Sequence, residues 1–366
     1  MNFRVVVEGF VSQRPKGTAT SAAAGARTVL TRGGELLCSF MVQSGLGIND
    51  FQPLLARSND GGVTWGEATT IWPELLSTYS IFGSISSDAD GTIYFYGSRT
   101  AIEVKGEPFW SQATQGLKQN ELVWCRSRDE GRTWSAFSTI PMPIPGSAEA
   151  PGPLCATRNG SWVVCYAPYN TFDPNLPVAQ NQVMSLMSCD KGATWSSRPM
   201  LQFPHSNSVG AEAWVIELSD GRLLGTGWHI HPGTVEANAY AISDDGGASW
   251  GPTLATGTLG QSTALAPLPD KRALFIYNQR SQGRIGVWLA VARPTEKEFG
   301  IELNDCVWAA EVATQSNTSG QHSDWTDFAF GEPSVRPMPD GTFFIAFWCM
   351  QSSGYSIRYV KLVIDR

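Results

Sequence analysis

Glu212 and Glu332 occupy matching places in the chain. Each stands nine residues ahead of a turn glycine, Gly221 in "EAWVIELSDG" and Gly341 in "EPSVRPMPDG". Two carboxyl groups brought to one point can divide acid–base work between them. Burial or a like-charged neighbour keeps one protonated while the other stays ionised. The first then supplies a proton, and the second attacks as a nucleophile or activates water. Asp50, in "GLGINDFQ", is a third carboxyl candidate. Arg27 in "GARTVL", and Arg280 and Arg284 in "NQRSQGR", are cations able to hold an anion through paired hydrogen bonds. His229 opens "HIH", which invites a metal, but strand alternation puts both imidazoles on one side with no clear third ligand. No metal and no cofactor are therefore expected.

The elements that must carry these residues repeat along the chain. A β-like run, a short turn and a second β-like run recur six times, with turn glycines at Gly34, Gly91, Gly160, Gly221 and Gly341 and Lys271-Arg272 in the remaining turn. Such runs bounded by Asp-Gly or Asn-Gly are hairpin signals. Out of phase with them run four related octets: "SNDGGVTW" at 58–65, "SRDEGRTW" at 127–134, "SCDKGATW" at 188–195 and "SDDGGASW" at 243–250. Glycine there supplies a positive φ, and the Asp and Ser or Thr oxygens bond nearby backbone. The Trp is expected to cover the seam between strands of its own blade. Each unit reads as four strands, the signature of a propeller blade. The pattern predicts an all-β protein, one six-bladed β-propeller over residues 1–366. The N-terminal "FRVVVEGFV" is expected to supply the outer strand of the sixth blade and close the ring.

Antiparallel order then sorts the loops. Both tight turns of a blade lie on one face, so the octets should face away from any site. The longer loops between second and third strands lie on the other face, and that face is where binding is expected.

Composition narrows the class. The net charge is −7 and the sequence is 16% charged, which argues against a nucleic-acid partner, since that needs a basic surface. No apolar run is long enough for a membrane span. Seven cysteines without metal-ligand spacing read as buried free thiols in a reducing compartment. The N-terminus shows no secretory pattern, so the expected location is cytoplasmic, although a trimmed leader would leave the same reading. Asn159 and Asn317 head N-x-S sequons that matter only in a glycosylating host.

Four such octets on six such blades resemble the sialidase (neuraminidase) superfamily over essentially the full chain. The resemblance implies an Arg before the first inner strand that binds a substrate carboxylate, matched by Arg27. It implies an acid/base Asp shortly before the first octet, matched by Asp50. A Glu opening the fourth blade is matched by Glu212, and an Arg in the fifth blade by Arg284. Three positions depart from the pattern. Trp228 in "GTGWHIH" stands where a further Arg is expected, Glu332 where the nucleophilic Tyr is expected, and Trp348 where a Glu is expected.

Those departures shape the expected chemistry. Sialidases use Tyr because their anomeric carbon already bears a carboxylate, an exception to the usual carboxyl pair of glycosidases. Glu332 in its place suits an aldose, and it resembles the paired Glu residues of other propeller glycosidases such as exo-acting arabinanases. The expected function is therefore exo-glycoside hydrolysis of a carbohydrate, an acidic sugar if Arg27 and Arg284 hold an anion such as a uronate. Trp228, Trp348 and Tyr169 would stack on sugar faces, with His229 and Arg280 also contacting substrate. Three other readings stay open. They are a true exo-α-sialidase with an altered site, a lyase in which His229 or a Tyr removes a proton from a uronate, and a carbohydrate-binding propeller without catalysis.

Overall fold

The structure is a computed structural model that describes residues 1–18 and 20–365. Six antiparallel sheets of four strands radiate from a central axis. From the axis outward, blade 1 is Ala22–Leu30, Leu36–Gln43, Gln52–Ser58 and Thr69–Thr70. Blade 2 is Tyr79–Ser87, Ile93–Ala101, Asn120–Ser127 and Ser138–Ile140. The inner strand of blade 3 comes in two pieces, Ser147–Glu149 and Cys155–Ala156, followed by Trp162–Tyr169, Gln182–Ser188 and Ser196–Gln202. Blade 4 is Val209–Glu217, Leu223–Ile230, Ala239–Ser243 and Leu254–Ala255. Blade 5, which lacks an octet, is Gln261–Pro267, Ala273–Gln279, Gly286–Ala292 and Ile301–Ala309.

Blade 6 closes the ring with both ends of the chain. Phe330–Pro337, Phe343–Gln351 and Gly354–Asp365 are followed outward by the N-terminal strand Asn2–Gln13. That strand pairs with the last one from Asn2 opposite Asp365 to Gln13 opposite Ser356, as its apolar run led us to expect.

Apolar side chains fill the wedges between blades rather than one central ball. One cluster joins blades 4, 5 and 6 through Tyr240, Phe275 and Phe347, and another joins blades 6 and 1 through Phe344 and Phe40.

The octets are turns of one design. In the first, Ser58 Oγ donates to Asp60 at 2.8 Å and accepts the Gly62 N–H at 2.9 Å. Asp60 also accepts the Thr64 N–H at 2.9 Å and the Thr64 hydroxyl at 2.5 Å. Ser127 and Asp129, Ser188 and Asp190, and Ser243 and Asp245 repeat the arrangement. These bonds hold the Asp129 and Asp190 carboxyls down at about 2.

The structure corrects the expectation for two of the octet tryptophans, whereas Trp134 packs on Phe95 of its own blade as expected. Trp65 of blade 1 packs on Phe344 of blade 6, and Trp250 of blade 4 donates to Ser185 Oγ of blade 3 at 2.9 Å. The last octet glycine explains this reach, because at all four turns it lies against the preceding blade. A Cβ on Gly62 would meet Phe344, on Gly131 Leu55 and on Gly192 Trp124, while on Gly247 it would meet Leu223 of its own blade first, with Met187 and Val163 of blade 3 just beyond. The turn therefore fastens blade to blade, and a side chain would push the seam apart. At Gly192 a Cβ would lie 2.5 Å from Trp124, at a φ of +87°. At Gly34 the φ is +84° with nothing near. Gly192→Ala should lose about 2–4 kcal/mol, backbone strain plus overpacking, and Gly34→Ala only about 1–2 kcal/mol. Denaturant midpoints of the two variants check this; equal losses would mean that the seam contact carries no weight.

Candidate active site

The inner strands of blades 1, 4, 5 and 6 share an irregularity. Their register slips between Ala24 and Arg27, Ala211 and Trp214, Gln261 and Thr263, and Gly331 and Ser334. At each slip one residue takes a positive φ: Gly25 at 62°, Glu212 at 52°, Ser262 at 37° and Glu332 at 43°. For residues other than glycine this backbone is strained, by about 1–2 kcal/mol. The bulge turns peptide groups away from their own sheet, and neighbouring blades bind them. The Glu212 carbonyl accepts from Thr263 Oγ1 of blade 5 at 2.8 Å, and the Glu332 carbonyl from Arg27 of blade 1 at 3.1 Å.

Both Glu side chains end in a cavity of about 220 Å³ on the face opposite the octets. Glu149 joins them at the same wall. Its carboxylate accepts the Glu212 N–H at 3.0 Å, and Glu332 accepts the Gly25 N–H at 2.5 Å. Glu149 went unnoticed in the sequence because the inner strand of blade 3 breaks at Pro151-Gly152. It stands eleven rather than nine residues ahead of its turn glycine, Gly160. Allowing two extra residues in that broken strand would have found it.

Two guanidiniums serve this floor without opening to a ligand. Arg280 lines the cavity but is only 2% exposed. Its Nε and Nη2 donate to the Phe330 carbonyl, at 2.9 and 2.5 Å, and its Nη1 donates to Gln261 at 2.9 Å. Turned with its amide oxygen toward them, Asn278 accepts from Arg280 and from the Glu332 N–H, each at 3.2 Å. Arg27, also 2% exposed, does not line the cavity. It spends its donors on carbonyls of Pro151, Ala26 and Glu332 and stacks on Trp214. The expected carboxylate-binding Arg27 is thus a clamp joining blades 1, 3 and 6.

Burial and mutual repulsion set the protonation. Burial, then the charges of Glu332 and Glu149, push Glu212 well above the ordinary carboxylate range. Burial raises Glu149 to about 8, against the pull of the Glu212 N–H, with Glu332 adding to the rise. Glu332 is raised by burial too, but Arg27, the Gly25 N–H and Arg280 all favour its anion. Burial lowers Arg280 to about 9, opposed by Glu212 and Glu332, so it stays cationic at neutral pH. Three carboxyls and two cations therefore leave a floor that retains a proton on the Glu149–Glu212 pair, with Glu332 the best-stabilised anion.

Aromatic walls rise from this floor. Trp228 pairs with Ala211, next to Glu212, and Trp348 pairs with Gly331, next to Glu332, so each acid has a tryptophan beside it. Tyr169 also lines the cavity, and burial with Glu149 and Glu212 holds its hydroxyl protonated.

Other expected residues lie elsewhere. His229 follows Trp228 on one strand, and alternation turns it to the opposite side. There it stacks on Phe203 at 4.2 Å and meets Ser208 at 3.0 Å. Asp50 sits between the cavity residues Asn49 and Phe51 but turns back to its own loop, bonding Ser44 N–H at 3.2 Å and Ser44 Oγ at 2.5 Å. Arg284 is exposed and off the cavity; its carbonyl accepts from Trp288. Among the described residues no group of three His, Cys, Asp or Glu could hold a metal. All seven cysteines are free, with Cys155 half-buried and Cys189 exposed rather than buried.

The acid floor generates a pH signature. A carboxyl raised on folding binds its proton in the folded chain over a window where the unfolded chain has lost it. Its stabilising share is present below the ordinary carboxylate value and is lost as pH rises through the folded value. For Glu149 that window runs from 4.5 to about 8. Glu149→Gln keeps an acceptor for the Glu212 N–H and removes the titration. The melting temperature of the variant relative to the parent should therefore climb between pH 5 and pH 8, by about 2–4 °C or more. A flat difference across that range would contradict the raised Glu149.

Comparison with known proteins agrees with this architecture. Residues 109–303 match the family model described as a BNR repeat-like domain. No curated protein matched the chain in sequence. Among solved structures, a protein of unknown function from Dyadobacter fermentans is similar over 100% of both chains, at 19% identity and a TM-score of 0.78. Hadza microbial sialidase Hz136 is similar over 97% of this chain and 68% of its own, at 18% identity and a TM-score of 0.71. The intramolecular trans-sialidase from Ruminococcus gnavus is similar over 97% of both chains, at 14% identity and a TM-score of 0.64. At these identities the likeness is one of fold. The chain belongs to the BNR repeat-like domain family and folds as a six-bladed propeller of the sialidase type.

Proposed function

We propose that this protein is an exo-acting glycoside hydrolase that releases a neutral sugar. One observation carries the reading: Glu212 and Glu332, in matching strained bulges of blades 4 and 6, meet Glu149 in one aromatic-walled cavity. Glu212, kept protonated, donates its proton to the leaving oxygen. Glu332, ionised and held by the Gly25 N–H, acts at the anomeric carbon as nucleophile or as base toward water. Glu149 fixes the Glu212 backbone through its N–H and adds the repulsion that keeps the proton there.

A neutral sugar fits better than the acidic one expected from the sequence. The two cationic side chains lining the cavity are already committed, Arg280 to Phe330 and Gln261, and Lys118 to Glu107 at 2.7 Å and Glu103 at 2.9 Å. A carboxylate brought onto three buried Glu residues would meet repulsion without a bidentate Arg to offset it. The sialidases among the structural relatives support glycosidase chemistry at the level of the fold. A closed ring with the cavity at its axis suits removal of terminal residues.

A panel of chromogenic aryl glycosides, including a sialoside and a glucuronide, tests this. Cleavage should be confined to neutral sugars. Glu332→Gln should lower kcat by about 10²–10⁴-fold on every leaving group. Glu212→Gln should lower it far more for 4-methylumbelliferyl than for 2,4-dinitrophenyl glycosides, because a good leaving group needs little acid help. Preferred cleavage of the sialoside, or an ultraviolet-absorbing unsaturated product, would overturn the proposal.

A further inference from the structure

The connection between blades 5 and 6, residues 310–329, crosses the cavity mouth as a strap. A short 3-10 helix at its centre, His322–Asp327, is closed by a capping box between Gln321 and Asp324. From it, Trp325 reaches blade 2, with its ring 5.2 Å from Trp110 and 5.6 Å from Phe109. The strap is tied to the floor as well. Gln261, which accepts from Arg280, donates to the Gly320 carbonyl at 3.0 Å. At Gly320 the φ is +69°, and a Cβ would lie 2.6 Å from the Arg280 carbonyl, so the strap is pinned against the buried arginine. His322, Trp325 and Thr326 all line the cavity.

His322 is the one cavity-lining histidine among the described residues, and its surroundings are unusual for an imidazole. Its ring meets Trp228 edge to face at 5.4 Å. Among the described residues its side chain makes no hydrogen bond or ion pair. The residue is half-buried and its ring lines the cavity, so its nitrogens are free to bond whatever occupies that space. The surrounding wall is aromatic, so the cavity is where partners can come from. Burial lowers this imidazole to about 4, and it is therefore neutral at physiological pH. A neutral imidazole offers one N–H donor and one nitrogen acceptor, complementary to a hydroxyl, which also donates and accepts. An anion can only accept, so it would use the N–H and leave the acceptor nitrogen unpaired, and this burial opposes its charge.

Resting on the glycosidase reading of the same cavity, we propose that His322 is a positioning residue that hydrogen-bonds a hydroxyl of a neutral sugar bound over the carboxyl floor. Recognition is then split between two ends of the cavity: the acids below act on the anomeric centre, and the strap above reads a hydroxyl. A sugar without that hydroxyl leaves the imidazole unpaired, which is the kind of mismatch a hydrogen-bonding site rejects strongly.

Binding separates this role from catalysis. Free glucose, galactose, arabinose, fucose, glucuronate and N-acetylneuraminate would be titrated calorimetrically into the parent, Glu332→Gln, His322→Phe and His322→Gln. At least one neutral sugar should bind the parent, and Glu332→Gln should still bind it measurably. It should bind His322→Phe at least about 10-fold more weakly, with His322→Gln, which keeps a donor and an acceptor, recovering part of the loss. On the matching aryl glycoside the Phe variant should raise KM more than it lowers kcat. Unchanged sugar affinity in folded His322→Phe would overturn the role of His322. So would binding of the two acids alone, or of none of the six. Sugar binding that depends on His322, without any glycoside cleavage by the parent, would instead sink the hydrolase proposal and leave His322 as a sugar ligand.

Discussion

The site depends on a backbone constraint before it depends on any acid. Where the inner strands approach the axis, a residue with positive φ breaks the ladder, and its peptide group bonds to the next blade instead of its own. Gly25 and Ser262 show that the bulge needs no carboxyl. Glu212 and Glu332 adopt it at the strain expected of any residue with a Cβ, and their side chains then end in the cavity. Closing the ring and placing the acids are thus one event. Thr263 holds Glu212 in place and Arg27 holds Glu332, each from the following blade. Strain kept at a residue whose side chain faces a cavity is a mark of function, since a glycine would have met the structural need.

Electrostatics follow from that geometry. The carboxyls interact because the bulges of blades 4 and 6 and the split strand of blade 3 end at one cavity, and burial raises all three. The guanidiniums prevent complete neutralisation of the floor, yet they are held by carbonyls and do not face a ligand. Arg27 illustrates the point: the family resemblance makes it a substrate anchor, whereas Pro151, Ala26 and Glu332 take its donors here. A cavity whose cations are spent inward has little to offer an acidic sugar. Trp228 stands where the resemblance expects an Arg, so the outer wall moves in the same direction, from charge toward apolar surface.

What was legible in the sequence was whatever counting could reach. Glycine turns set the blades, the octets set their outer halves, and nine residues back from a turn lay Glu212 and Glu332. The N-terminal strand was legible because blade 6 otherwise lacked a partner for its last strand. Glu149 escaped because Pro151-Gly152 splits its strand and breaks the count. His229 could have been set aside by alternation, since Trp228 and His229 cannot both face one cavity. Asp50 and Arg284 sit in loops with no period, and their orientation is decided by local bonds such as Asp50 to Ser44. His322 lies on a connection without any repeat at all, so only the folded strap brings it over the acids.

The two faces of the propeller also divide its response to pH. On the octet face, Asp129 and Asp190 are stabilised as anions by backbone and hydroxyl donors, so their contribution is lost as pH falls through the folded value of about 2. On the cavity face, Glu149 and Glu212 are stabilised as acids, and their contribution is lost as pH rises. His322, lowered by burial from 6.5 to about 4, adds a share that is present at neutral pH and lost as pH falls through that range. The fasteners therefore tolerate mild acid, while the acid floor is most comfortable before its protons leave. A fold built this way can accumulate change in its cavity without disturbing the turns that close the ring, because the two sets of groups share neither a face nor a protonation state. That separation lets Trp228 and Glu332 stand where the resemblance expects Arg and Tyr while the Ser, Asp and Gly of the octets keep their bonds.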